Sequence, residues 1–185
     1  GPREIIALSV KIHGKSTLYS PFSDPNERTV QPSWRMLMAM TTIAPVQRLK
    51  LLRELERKVL WLSAWTIHHA NHLRPNRDGL KVGGHQASCA SLATVMTALY
   101  FSVLRPEDRV AVKPHASPVF HAIQYLFGHQ SRDKLERFRA LGGAQSYPSR
   151  TKDADDVDFS TGSVGLGVAM TLFSSIVQDY VRLKN

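Results

Sequence analysis

Apolar residues recur at helical spacing in two long segments of the chain. In the first segment they stand three or four positions apart and share one helix face: Val46, Leu49, Leu52, Leu55, Val59 and Leu62. Pro45 is typical of a first helical turn, and Pro75 predicts an end before it. The second segment runs from Leu92 to Val103 and stops before Pro106. We therefore predict two long helices.

A short segment with a different pattern follows the second helix. Arg109–Lys113 places small or β-branched apolar residues between two cations and is stopped by Pro114, which predicts one strand of a buried sheet. Beyond it, helical spacing predicts three further helices, over residues 118–127, 132–141 and 164–181. Ser131 is a candidate cap for the middle one of these.

These elements predict a fold class. A strand followed by helices is typical of an α/β sheet, but one strand has too few partners to form a sheet. We therefore expect an α/β fold that is helix-rich and incomplete, with its sheet completed beyond Asn185 or by another chain. Residues 1–40 show neither a sustained period nor a motif, and Gly1-Pro2 resembles a tag-cleavage remnant, so we expect an extension there. Residues 41–185 are expected to form one truncated domain.

The composition narrows the classes of function. For a chain of 185 residues, a net charge of +9 and a pI near 10.0 would suit nucleic acid, an anionic membrane or a phosphorylated ligand. The basic residues are dispersed at helical spacing, which is typical of solvated helix faces, so we expect no nucleic-acid partner. The apolar stretches are expected to be interrupted before the roughly 18 residues that cross a bilayer, which predicts no membrane partner. Cys89 is the single cysteine, which excludes an internal disulfide and favours a cytoplasmic location with Cys89 buried.

The first candidate site is the Gly83-Gly84 turn that delivers His85 ahead of a helix. Glycines allow the backbone to approach a ligand closely. The amino terminus of a helix attracts anions such as phosphate, and an adjacent imidazole can donate to them or move protons. The alternative is a helix cap whose histidine bonds locally. The residues alone leave both interpretations open.

The second candidate site is His115, which follows the predicted strand immediately. In open α/β sheets, ligands bind beyond the carboxyl ends of the strands, so a histidine at this point is well placed for chemistry. The alternative is a histidine at the end of a strand whose hydrogen bonds are satisfied by neighbouring backbone.

The third candidate site is the segment Asp158–Gly167, in which hydroxyl groups and three glycines open a helix. Such a loop can present backbone groups to the polar edge of a cofactor. It lacks the Gly-Lys-Ser/Thr ending of a phosphate loop and a preceding βαβ unit, so close helix packing is the alternative. His68 and His72 share a helix face, but without the H-E-x-x-H arrangement we expect no zinc site there.

The order and spacing of four motifs carry a family resemblance. They are Asp78-Gly79-x-x-x-Gly83-Gly84-His85-x-Ala87-Ser88, then His115-Ala116-Ser117-Pro118, then Ser146-Tyr147-Pro148, then Ser160-Thr161-Gly162-Ser163-Val164-Gly165-Leu166-Gly167. Together they resemble the amino-terminal domain of the thiamine-diphosphate-dependent transketolase superfamily. The likeness is closest to the homodimeric pyruvate dehydrogenase decarboxylating component, looser to transketolase, and runs from about residue 45 to the end of the chain.

This resemblance implies roles for particular residues. His85 and His115 match histidines that lie near the diphosphate and the thiazolium of the cofactor, where they assist substrate binding and proton transfer, so both are candidate catalytic residues. The matching cofactor-binding positions are Gly84, Ser117, Ser163, Val164, Gly165, Leu166 and Gly167. In this family, thiamine diphosphate adds to a carbonyl and stabilises the carbanion that forms when a carbon–carbon bond breaks.

The sequence also departs from the family pattern. The Gly-Asp-Gly run that holds magnesium and the cofactor-activating glutamate are both missing from the sequence, so magnesium ligands are expected outside this chain. We expect no turnover by the chain alone, and a homodimer or a completing partner chain. The expected substrate is a 2-oxo acid or a sugar phosphate, with a slight preference for the oxo acid. The alternative is a non-catalytic interaction module or partner subunit that keeps the fold.

Overall fold

The computed structural model of the chain describes residues 39–40, 42–76, 78–105 and 108–184. Within these ranges lie the helices α1 (Pro45–His68), α2 (Gln86–Ala98), α3 (Ser117–Leu126), α4 (Arg132–Glu136) and α5 (Leu166–Lys184). Single π-helical turns, His69–Leu73 and Leu99–Val103, continue α1 and α2, and the 3-10 turn Pro114–Ala116 precedes α3. The predicted extension over residues 1–40 lies, except for residues 39 and 40, outside the described residues.

The main core forms where α1, α2 and α3 pack against one another. Pro45 begins α1, as predicted, and Val59 is fully buried while Leu62 is partly buried against the core. Val46 and Leu49 belong to the same predicted face but are 70% and 51% exposed. The prediction of a long helix is confirmed, and the first two turns of its apolar face, at Val46 and Leu49, remain exposed.

The predicted strand Arg109–Lys113 is wrong. Val110, Ala111 and Val112 are buried, but the segment makes no ladder, and no strand is present in the described part of the chain. Side chains take the place of a neighbouring strand: Val110 N donates to Asp158 Oδ2 at 2.8 Å, and Thr161 Oγ1 donates to Val112 O at 2.7 Å. Buried backbone groups need hydrogen-bond partners, and here a loop supplies them. The helix-rich expectation is confirmed, but the α/β sheet is not observed in the described residues.

The helix predicted over residues 132–141 is shorter than expected. Its cap is confirmed, because Lys134 N donates to Ser131 Oγ at 3.2 Å. The helix ends at Glu136 because the chain turns back and Ala144 N donates to Lys134 O at 3.0 Å. Gly143 permits this turn, since a Cβ there would lie 1.7 Å from the Arg137 carbonyl oxygen.

A buried charged network ties α3 to the loop that follows α4. The ring of His121 is fully buried, with Nδ1 bonded to the Asp155 carboxylate and Nε2 donating to Gln145 O at 2.7 Å. Gln130 donates to the other carboxylate oxygen of Asp155. Both ring nitrogens face acceptors, so the imidazolium is the form that satisfies the site. Burial alone would lower the pKa of His121, but its bond to Asp155 and the charge of that carboxylate outweigh burial and raise it.

One prediction about apolar stretches needs correction. The helical stretch Gln86–Val103 has 18 residues with a mean hydropathy of 1.2, so by length and composition alone it could cross a membrane. Its buried side chains, among them Leu92, Met96 and Phe101, belong to the main core. A core helix of a globular domain meets the same criteria of length and composition.

The last helix differs from the others because it buries little of its apolar surface. Among the described residues of α5, only Thr171 is buried. Large apolar side chains at helical spacing remain about half or more exposed, and they are Leu172, Phe173, Ile176, Val177, Tyr180 and Leu183. We call these six residues the α5 apolar face.

The buried pair predicts a large and specific effect on stability. We expect Asp155→Asn to lower the free energy of unfolding by about 3 kcal/mol, because it leaves His121 without its charged partner in the core. Asp133→Asn, which removes an exposed carboxylate bonded to Arg137, is the matched control and should cost about 0.5 kcal/mol or less. Urea denaturation measures both variants. Equal losses of stability in the two variants would contradict the role of Asp155 as the buried charged partner of His121.

The same pair predicts a pH dependence. The folded state raises the pKa of His121 above 6.5. The stabilising contribution of His121 is therefore complete below about pH 6.5 and is lost as the pH rises through the folded-state pKa. We expect the stability difference between the wild type and Asp155→Asn, measured by urea denaturation, to shrink as the pH is raised from 6.5. A difference that grows with pH would refute this role of His121.

Candidate functional site

The structure brings His85 and His115 into direct contact. Their rings stack with centroids 4.1 Å apart and planes inclined by 27°. His85 is exposed and stands at the amino terminus of α2, while His115 is half-buried in the 3-10 turn before α3. The two residues lie 30 positions apart in the sequence but form one site. Their predicted catalytic role stays a prediction.

Backbone conformation explains why glycines precede His85. Gly83 and Gly84 adopt φ values of +77° and +137°, which side chains rarely tolerate. Gly84 also passes so close to α1 that a Cβ would lie 2.8 Å from Cγ2 of Ile67, a core residue. The turn therefore needs glycine for its conformation and for its approach to the core.

Two side chains hold this turn from outside it. The Asn71 amide bonds both backbone groups of Gly83, with Gly83 N donating to Oδ1 at 2.9 Å and Nδ2 donating to Gly83 O at 2.9 Å. Arg139 Nη1 donates to Val82 O at 2.6 Å. Neither residue belongs to the motifs singled out in the sequence, and dispersed cations such as Arg139 were predicted to lie on solvated helix faces. These contacts span 12 and 57 positions, so local sequence patterns could not indicate them.

The site has a positive character. Among the described residues, no side chain caps the amino terminus of α2, where backbone N–H groups and the helix dipole favour an anion. Partial burial lowers the pKa of His115, and the neighbouring His85, Lys113 and Arg139 lower it further. His115 is therefore favoured in its neutral form, which leaves a ring nitrogen able to accept a proton. The geometry can bind an anion next to a proton acceptor.

Cys89 lies beneath the two histidines. It is buried, as predicted, and its Sγ contacts His115 O at 3.5 Å. Burial raises the pKa of this thiol to about 11. A thiol with that pKa is protonated at neutral pH and is a poor nucleophile, so Cys89 is a packing residue.

The predicted cofactor-binding residues fall into two groups. Ser117, at the start of α3, is buried close in sequence to His115, and its Oγ has no hydrogen-bond partner among the described residues. The segment from Ser163 to Leu166 is exposed. The near neighbours of Gly167 are Ala111 and Thr161 rather than either histidine, since a Cβ at Gly167 would lie 3.2 Å from Ala111 Cβ. Ser117 therefore lies two positions after His115 in the sequence, and Gly167 packs against the segment that leads to His115.

No metal-binding group is found within the described ranges, where no three His, Cys, Asp or Glu side chains converge. His68, the last residue of α1, and His72, in the π-helical turn after it, are exposed, with ring centroids 4.8 Å apart. Two imidazoles are fewer than the ligands of a structural zinc site.

Comparison with curated proteins adds independent information. Over 135 residues, 67% of its length, the chain is 31% identical to the pyruvate dehydrogenase E1 component of Mycolicibacterium smegmatis, of which it covers 14%. It is also 31% identical to the Pseudomonas aeruginosa protein of that name, over 69% of the chain and 15% of the relative. The Escherichia coli K12 protein of that name is 28% identical, over 72% of the chain and 16% of the relative. No family model matches the chain. The chain thus spans roughly one seventh of the length of these relatives.

The conformation of Gly84 predicts a localised sensitivity to substitution. We expect Gly84→Ala to lower the free energy of unfolding by about 2–4 kcal/mol, because the methyl group would clash with Ile67 and the backbone would be strained. Gly162→Ala is the matched control: a Cβ there meets no atom within 4 Å, so its effect should stay within about 0.5 kcal/mol. Urea denaturation compares them. A Gly84→Ala chain as stable as the wild type would rule out the close approach.

Proposed function

This chain is homologous to one segment of pyruvate dehydrogenase E1 components, and on that premise we propose that it forms part of a thiamine-diphosphate site in an enzyme acting on 2-oxo acids. The observation that carries the proposal is the stack of His85 on His115 at the amino terminus of α2. We favour a 2-oxo acid over a sugar phosphate because the relatives named above share that E1 name.

The residues of the site fit the anionic end of this cofactor. The uncapped terminus of α2 offers backbone N–H groups to a diphosphate, and Lys113 and Arg139 add positive charge nearby. The buried Ser117 Oγ, which has no partner within the described part of the chain, is a further candidate donor. We propose that these groups, with Gly84 and the segment from Ser163 to Gly167, hold the cofactor.

The chemistry divides between the cofactor and this chain. When bound, thiamine diphosphate would supply the electron sink for cleaving the bond between the carboxyl and carbonyl carbons of a 2-oxo acid. A ring nitrogen of His115, kept neutral by its surroundings, accepts a proton from the reacting group. The exposed His85 stacks on that ring, orients it and offers a hydrogen bond to the substrate or the diphosphate.

We propose that the remaining parts of the site come from outside the matched segment. Magnesium requires several oxygen ligands, and the described residues provide no such cluster. The α5 apolar face supports this proposal, because exposed apolar surface of this extent is typical of an interface. A second copy of the chain or a completing partner would cover it, and a cytoplasmic location fits the single buried thiol.

A second candidate function is a non-catalytic interaction module that keeps the fold. The α5 apolar face favours this alternative as well, since it suits a docking surface without requiring any cofactor. The two functions differ in one property: only the enzyme part binds thiamine diphosphate through its histidines.

Calorimetric titration tests the proposal. We expect thiamine diphosphate with Mg²⁺ to bind when the chain is mixed with the protein encoded next to it, and to bind weakly or not at all to the chain alone. His85→Ala should weaken this binding, whereas His72→Ala, at an exposed position in the π-helical turn after α1, should leave it unchanged. Thiamine without its diphosphate is the ligand control, because it lacks the anion that the α2 terminus attracts. Absence of binding in both arrangements would favour the interaction module.

A further inference from the structure

The turn that carries His85 is fixed by contacts from two distant parts of the chain. Asn71, in the π-helical turn after α1, holds the backbone of Gly83. Arg139, in the turn after α4, holds the carbonyl of Val82. π-Helical turns are unusual in proteins and often occur at functional sites. His85, which stacks on His115, therefore directly follows a turn that Asn71 and Arg139 hold in place.

The backbone of Arg139 is itself in an unusual conformation. Its φ is +61°, the only positive φ at a non-glycine position within the described residues. Packing and hydrogen bonds maintain it: Arg139 N donates to Ala144 O at 3.0 Å, and the preceding Phe138 is fully buried. Arg74 Nη1 adds a bond to Phe138 O at 2.8 Å. A left-handed arginine is maintained only where its surroundings impose that conformation, and such residues cluster at functional sites.

The side chain of Arg139 is directed at the glycine turn. Its guanidinium lies 5.3 Å from the ring centroid of Phe138, and its Nε is buried without a hydrogen-bond partner among the described residues. A Cβ at Gly83 would lie 2.9 Å from Arg139 Nη1. Only glycine at this position lets the guanidinium reach the carbonyl of Val82 without displacement. The turn and the guanidinium therefore fit each other.

We infer that Arg139 is a positioning residue, which holds the Val82 carbonyl so that the Gly83-Gly84 turn places the ring of His85 against His115. Arginine suits this task better than lysine, because its planar guanidinium keeps a fixed orientation between an aromatic ring and a carbonyl. The importance of this arrangement for catalysis rests on the proposed function, but the arrangement itself does not depend on any cofactor.

Nuclear magnetic resonance of the full chain without cofactor tests the inference. Stacked imidazoles shift each other's ring protons, so the ring-proton shifts of His85 report the stack with His115. We expect Arg139→Asn to abolish this shift, since asparagine tolerates the left-handed backbone but lacks the guanidinium. The pKa of His115 should also rise towards its ordinary value when this nearby cation is removed. Arg137→Asn, which removes a cation bonded to Asp133 in the same turn region, is the matched control and should leave both readouts unchanged.

Two results would overturn the inference. The first is a folded Arg139→Asn chain that keeps the His85 shift, which would show that Asn71 and the glycines suffice. The second is loss of the fold in both Arg139→Asn and Arg139→Lys, which would make Arg139 a general support of the structure. Neither result bears on cofactor binding, so the calorimetric test of the proposed function can succeed or fail separately.

Discussion

The buried pair of His121 and Asp155 is the interaction from which the candidate site is built. An imidazolium with two acceptors and a carboxylate with two donors satisfy each other inside the core, and so join α3 to the loop after α4. The same loop continues to Asp158 and Thr161, which bond the backbone of the extended segment at Val110 and Val112. That segment leads directly into the turn of His115. The position of His115 therefore depends on a network of side chains and not on a sheet.

A second set of contacts holds His85 at the site. The end of α1 and the turn after α4 converge on Val82 and Gly83, and glycine backbone conformations allow the approach. Phe138, next to Arg139, lies with its ring centroid 6.4 Å from that of His121. The two sets of contacts bring His85 and His115 together as two stacked rings. Since lowered pKa values keep an imidazole neutral, the surrounding cations serve two purposes. They favour an anion at this site, and together with partial burial, which is the larger cause, they lower the pKa of His115 and so favour its neutral form.

The chain is similar to one segment of pyruvate dehydrogenase E1 components, and most of the length of those relatives lies outside the matched segment. The chain covers 14% to 16% of the relatives compared above. Its described residues present histidines and an uncapped helix terminus, with no convergent set of metal ligands. The last helix leaves a broad apolar face exposed. Contiguous exposed apolar surface of this kind is typical of interaction sites.

The sequence by itself determined the features that depend on near neighbours. Apolar spacing and Pro45 determined α1, Ser131 determined a cap, and Gly83-Gly84 marked the turn ahead of His85. It also carried the family likeness, because that likeness lies in the order of short motifs. Each of these signals is readable from a few consecutive residues, since helix and turn preferences are local.

Only the tertiary structure decided which distant groups satisfy one another. The segment Arg109–Lys113 has the composition of a strand, but its backbone is bonded by a loop some 50 positions away. No local sequence pattern distinguishes His121 or Arg139 from other residues of the predicted helices. Only the folded chain brings His121 to Asp155 and Arg139 to the Val82 carbonyl. Buried polar groups must find partners wherever the chain brings them, and that choice depends on packing between elements rather than on local preference.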